Sequence, residues 1–131
     1  MKKQFTTYEI ALALKELGFD ERCLGHFDIQ SKVLYVGDTE MNVSVLSEIL
    51  LPAPLWQQVI DYFREKHQII IAIHAYHDLD AVDEVDQILW DFALWDKDWN
   101  DTSDYTYYHS YEEAREAAIL EAIKIVKGEP K

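Results

Sequence analysis

This chain has little of what usually marks a chemical site. Among 131 residues there are one cysteine, four glycines and three prolines. The lone Cys23 excludes an internal disulfide and suits a reducing compartment. Four glycines, at positions 18, 25, 37 and 128, leave no phosphate-cradling loop, no Rossmann fingerprint and no GxSxG elbow. HExxH and paired Cys/His zinc spacings are also missing. No apolar run approaches the roughly 18 residues of a membrane-spanning helix, and the opening MKKQFTTYEI lacks the apolar centre of a secretory signal. A cytoplasmic protein with no membrane association is the expectation. Basic residues are few as well: 12 Lys and Arg stand against 25 Asp and Glu, for a net charge of −13. They are scattered from Lys2 to Lys131 without a patch, so phosphate-rich partners are repelled and nucleic-acid binding is not expected.

What is present is apolar and acidic. A hydrophobic content of 49% argues against disorder despite the charge. The length suits one compact domain over residues 1–131, with no Gly/Ser/Pro-rich linker dividing it. The densest apolar stretch is Pro54–His77, an amphipathic helical pattern running directly into QIIIAIHAYH. Trp56, Val59, Ile60 and Phe63 make one helical stripe, and Ile69–Ile73 reads as a buried strand.

Before this centre, Thr6 and Glu9 form a capping box for a helix over Thr7–Leu17, which Gly18 closes. Cys23–Phe27 and Val33–Val36 read as a β-hairpin that turn chemistry at Gly37-Asp38 ends. Residues 38–51 are ambiguous: Asn42-Val43-Ser44-Val45 alternates like a strand, whereas Val45, Leu46, Ile49 and Leu50 suit a helical face. Pro52-Ala53-Pro54 stops that segment. After the centre, DLDAVDEVD is a loop. Ile88, Trp90, Phe92 and Leu94 then share a face at period two, the mark of a strand. Tyr105–Tyr108 reads as a short strand or an extended lead-in. Ser110 and Glu113 cap a last helix over Tyr111–Lys127, ended by Gly128 and Pro130, with a small-residue stripe at Ala114, Ala118 and Ala122. The predicted fold is α+β in two layers. About three helices pack on an antiparallel or mixed sheet of about four strands, in the order α-β-β-α-β-β-α.

The strings YEIALALKELGFDE, APLWQQVIDYFREKHQI and YEEAREAAILEAIKIVK together resemble a group of short uncharacterised proteins of Bacteroides-type bacteria and their phage and mobile elements. The resemblance spans most of the chain and implies a compact bacterial or phage α+β protein. It brings no activity, cofactor or catalytic residue with it.

Four constellations could carry chemistry. Asp96-Lys97-Asp98-Trp99-Asn100-Asp101-Thr102-Ser103-Asp104 spaces oxygen ligands like a calcium loop, but Asp101 stands where a glycine turn belongs and Tyr107 where a bidentate Glu belongs. Asp78, Asp80, Asp83, Glu84 and Asp86 could hold magnesium or share a proton, although consecutive carboxylates on one loop are ordinarily solvated separately. His74 and His77, three apart on a strand, face opposite sides and so do not share a metal. Cys23 beside His26 lacks an activating neighbour and reads as a small buried residue.

The aromatics say more. Trp90, Trp95, Trp99, Tyr105, Tyr107, Tyr108 and Tyr111 fall within 22 residues, interleaved with acids, and residues 78–104 hold ten acids against Lys97 alone. Core and edge packing accounts for such residues in most proteins. The functional alternative is a partner surface, because Trp and Tyr are favoured interface anchors. The expected function is a non-catalytic protein-interaction module with no cofactor. Its surface comprises Asp78, Asp80, Asp83, Glu84, Asp86, Trp95, Trp99, Tyr105 and Tyr107, for a protein partner or a second copy. An inhibitor mimicking nucleic acid is the alternative, and a small metal-dependent enzyme ranks below it.

Overall fold

The computed structural model describes residues 2–41, 48–78, 87–101 and 106–128. Among the described residues the fold is α+β with three α-helices, as the patterning predicts. The strands do not share one sheet. They form an antiparallel sheet of three and an antiparallel hairpin of two. The chain divides into two compact units, residues 1–59 and 60–131.

In the first unit a short 3-10 turn (Lys2–Gln4) precedes helix α1 (Tyr8–Glu16). Its cap is Thr7, not Thr6: the Thr7 hydroxyl accepts from the Ile10 amide at 3.3 Å. Thr6 is drawn inward because Phe5 bridges Leu55 and the Thr6 amide donates to the Pro54 carbonyl at 3.0 Å. Gly18, at φ 95°, closes the helix as expected. Strands β1 (Cys23–Asp28) and β2 (Leu34–Met41) form the predicted hairpin. Asp28 shapes its turn, accepting from the Ser31 amide at 2.9 Å. Gly37-Asp38 does not end β2. The strand runs on to Met41 across a register irregularity instead.

Strand β3 (Leu50–Ala53) takes the other side of β1 and makes a third strand where the prolines signal only a break. The order β2-β1-β3 explains it, since β3 is an edge strand and Pro52 leaves no ladder donor missing there. Asn42-Val43-Ser44-Val45 and Leu46 lie outside the described residues. Phe5, Ala11, Phe27, Leu51 and Ala53 form the core of this unit. Gly25 lets the Phe5 ring lie against the sheet, because a Cβ there would stand 2.8 Å from Phe5 Cε1.

Helix α2 (Trp56–His67) starts in the first unit, where Trp56 Nε1 donates to the Lys3 carbonyl at 3.1 Å. Its stripe is buried at Trp56, Val59 and Phe63. Tyr62 joins them, while Ile60 is only half-buried.

In the second unit β4 (Ile70–Asp78) and β5 (Gln87–Trp95) pair without a bulge from Ile70↔Trp95 to Asp78↔Gln87. The strand predicted to stop at Ile73 therefore continues through Asp78, the first residue of the predicted loop. Continuous pairing to β5 holds the backbone extended after the apolar signal has faded. Helix α3 (Tyr111–Lys127) has the boundaries its sequence predicts. The Ser110 hydroxyl accepts from the Glu113 amide at 3.1 Å, and Gly128 is left-handed at φ 75°. Its Ala114, Ala118 and Ala122 are fully buried with Ile119, which brings the axis close to both strands of the hairpin.

Candidate functional site

The β4–β5 register sorts the second unit's side chains onto two faces. One carries Ile71, Ile73, Ala75 and His77 beside Leu94, Phe92, Trp90 and Ile88; the other carries Ile70, Ala72, His74 and Tyr76 beside Trp95, Ala93, Asp91 and Leu89. Ile88, Trp90, Phe92 and Leu94 do share a face. Only Phe92 and Leu94 are buried, and Ile88 is exposed. Trp90 meets Tyr111 of α3 edge-on at 5.4 Å. It also exchanges backbone hydrogen bonds with Tyr108, at 2.7 and 2.9 Å, and Tyr108 stacks on Phe92 at 6.0 Å. Trp90, Tyr108 and Tyr111 are thus packing residues.

Trp95, Trp99 and Tyr107 have a different setting. Trp95 ends β5 on the second face and meets Trp99 at 6.4 Å. Tyr76 and Tyr107 meet at 5.3 Å, their hydroxyls 3.4 Å apart, and both are 49% exposed. Trp95 and Leu89, the cross-strand neighbour of Tyr76, are six residues apart on β5, so the two aromatic pairs stand roughly 20 Å apart by strand rise. Between them His74 Nδ1 lies 3.0 Å from Asp91 Oδ1. His77 faces the other way, as the period-two argument requires.

Trp99 sits on a turn that Asp96 closes. Asp96 Oδ1 accepts from the amides of Asp98 and Asn100, both at 2.9 Å, and Oδ2 accepts from Asn100 Nδ2 at 3.0 Å. These bonds, led by the Asn100 side chain, hold the Asp96 carboxyl below its ordinary pKa. The carboxylate that would be the first ligand of a calcium loop is therefore engaged in the turn's own backbone. Thr102, Ser103 and Asp104 lie outside the described residues. To complete the turn Trp99 adopts a left-handed φ of 63°, where glycine or asparagine is the usual occupant. Its side chain is 72% exposed.

Asp78 ends β4 opposite Gln87. Asp80, Asp83, Glu84, Asp86 and Tyr105 lie outside the described residues. Among the described residues no group of three His, Cys, Asp or Glu side chains is placed to hold a metal ion. Cys23 is buried and its thiol is pushed up to about 12, chiefly by burial, so it carries no thiolate at neutral pH. His26 stacks on Tyr35 at 5.7 Å.

No family model, curated protein or solved structure matches this chain.

One cleft in the second unit escapes the sequence patterns because it collects the ends of separate elements. His67, Gln68, Ile69, Asp96, Lys97, Asp98, Ile125 and Val126 line a cavity of ≈ 320 Å³. His67 Nε2 is 3.1 Å from the Tyr62 hydroxyl, and burial lowers the imidazole pKa. With Asp96 held in its turn and His67 kept neutral, the walls present Lys97, Asp98 and Gln68 around an aliphatic floor. No helix of the chain among the described residues is long and apolar enough to cross a membrane.

Proposed function

We propose that this chain is a non-catalytic protein-interaction module. Its binding surface centres on Trp99, with Trp95 beside it and the Tyr76–Tyr107 pair at the far end of the same sheet face. The occupant is a basic protein segment that carries an apolar or aromatic side chain next to Lys or Arg. The observation that carries this reading is Trp99 itself, a bulky side chain in the left-handed region and largely in water. Left-handed backbone costs a residue with a Cβ about 1–2 kcal/mol, and the ring contact with Trp95 at 6.4 Å leaves most of the indole in water. Strain persisting at an exposed aromatic points to selection for binding, not for folding.

Charge supplies the partner's sign. Asp98 and Asp101 are exposed near Trp99, Asp91 lies between the aromatic pairs, and Lys97 is the nearest cation in sequence. A guanidinium over the exposed indole would gain a cation–π contact in addition.

Trp99→Gly separates the two roles. Relief of left-handed strain exceeds the chain entropy glycine adds, so the variant gains up to about 1 kcal/mol in chemical denaturation. The same change removes the anchor and weakens binding by about 2 kcal/mol or more. A displayed peptide library selected on the wild type should enrich basic sequences with an apolar anchor that fail on Trp99→Gly and Tyr107→Ala. Enrichment of sequences that bind all three proteins equally would refute the assignment.

A further inference from the structure

We infer that the cleft where α2 and α3 end and the chain leaves β5 receives one arginine side chain of the partner segment. The guanidinium meets Asp98 and Gln68, and its aliphatic stem lies on Ile69, Ile125 and Val126. The neighbouring residue of the segment then covers Trp99, which follows Asp98 in the chain. This inference rests on the interaction reading above and gives that partner's basic residue a definite place.

At ≈ 320 Å³ the cleft sits at the lower end of the roughly 300–1,000 Å³ usual for small-molecule sites. It has room for a side chain and little more. Ile69, Ile125 and Val126 are buried or half-buried, whereas Gln68, Lys97 and Asp98 are exposed at the rim. An apolar wall with a polar rim suits a side chain whose stem is aliphatic and whose tip is charged.

The walls select a cation. Asp96 and Lys97 are adjacent and offset each other, which leaves the Asp98 carboxylate as the net charge. Among the described residues neither the Asp98 nor the Gln68 side chain is engaged in a hydrogen bond or ion pair. His67 adds no cation at neutral pH, because burial lowers its pKa. The cleft also meets the C-terminal ends of α2, at His67, and of α3, at Ile125 and Val126, where helix dipoles favour positive charge. The basic residues of those last turns, Arg64, Lys66, Lys124 and Lys127, do not line it. Arginine fits better than lysine. Its planar fork can donate to the Asp98 carboxylate and the Gln68 amide oxygen together, and a guanidinium sheds water more readily than an ammonium.

Backbone strain converges on the same place. Among the described residues of this unit, the non-glycine residues with left-handed φ are Gln68, at 58°, and Trp99, at 63°. Glycine would end α2 at lower cost, so glutamine supplies the cleft with an amide that glycine would not.

Acetyl-arginine amide, its lysine counterpart and the neutral isostere acetyl-citrulline amide probe the cleft when titrated into the full chain, followed by amide NMR shifts. Arginine should shift Gln68, Asp98 and Val126 and bind more tightly than lysine, with citrulline weakest. Asp98→Asn should weaken arginine about fivefold. Gln68→Gly, which suits the left-handed backbone, should weaken it about threefold. Equal shifts by arginine and lysine would reflect general attraction to an acidic chain and overturn the assignment. So would arginine binding unchanged in Asp98→Asn, or no shift at Gln68, Asp98 and Val126. Acetyl-phenylalanyl-arginine amide separates this site from the Trp99 surface. Its added affinity over acetyl-arginine amide should vanish in Trp99→Gly, while acetyl-arginine amide binds that variant and the wild type alike. Added affinity that survives Trp99→Gly counts against the Trp99 surface and leaves the cleft standing.

Discussion

Thr6 and Thr7 show how far apart two adjacent, chemically identical residues can be. The Thr7 hydroxyl caps α1, whereas the Thr6 hydroxyl is buried with no hydrogen-bond partner among the described residues. Thr7→Ala should cost about 1 kcal/mol of stability, as cap removal does. Thr6→Val should raise stability by about 1 kcal/mol, because it replaces an unpaired buried hydroxyl with a methyl of similar shape. Urea denaturation of both variants checks the pair, and the reverse ordering would return the cap to Thr6. His67 gives a second test. It lies in the last turn of α2, where the helix dipole favours a cation, yet burial lowers its pKa. The folded chain then binds this proton less readily than the unfolded chain. Its contribution is fully present above the ordinary histidine pKa and is lost as pH falls through the lowered one. An NMR titration should place the His67 midpoint below the ordinary histidine value. In His67→Gln this part of the acid sensitivity should disappear.

At the scale of elements, patterns confined to one segment were legible and those requiring a second segment were not. Helix α3 carries cap, stripe and left-handed stop within its own residues, and all three appear as read. Strand β3 was hidden because Pro52 forbids a central strand, and only the order β2-β1-β3 reveals that this strand is an edge. The β2 extension and the second half of β4 were hidden for a related reason. Pairing partners, not local hydrophobicity, keep their backbones extended. Gly25 tests this dependence on neighbours. Its Cβ-free face touches Phe5, itself buried, so Gly25→Ala should destabilise by about 1–3 kcal/mol through overpacking. A Phe5→Leu background should recover part of that loss in thermal unfolding. An unchanged midpoint in Gly25→Ala would show that the Phe5 ring moves aside freely.

For the molecule as a whole, the charge imbalance of 25 acids to 12 bases should make folding salt-dependent. Screening relieves self-repulsion, so raising sodium chloride should increase the melting temperature by on the order of 3 °C, or about 1 kcal/mol for a chain of this size. A fall with salt would mean that attractive pairs outweigh the net charge. The candidate surface was legible only by residue type. Acids and aromatics crowd the segment after β4, but the sequence does not separate Trp90, packed against α3, from Trp99, held outward on a turn. Composition and periodicity by themselves determined the α+β class, the helices, the buried thiol and the absence of a local catalytic motif, because each depends on residues close in the chain. Tertiary structure alone decided that the strands form two sheets and which aromatics stay exposed. Those outcomes depend on strand neighbours distant in sequence, and no local pattern encodes them.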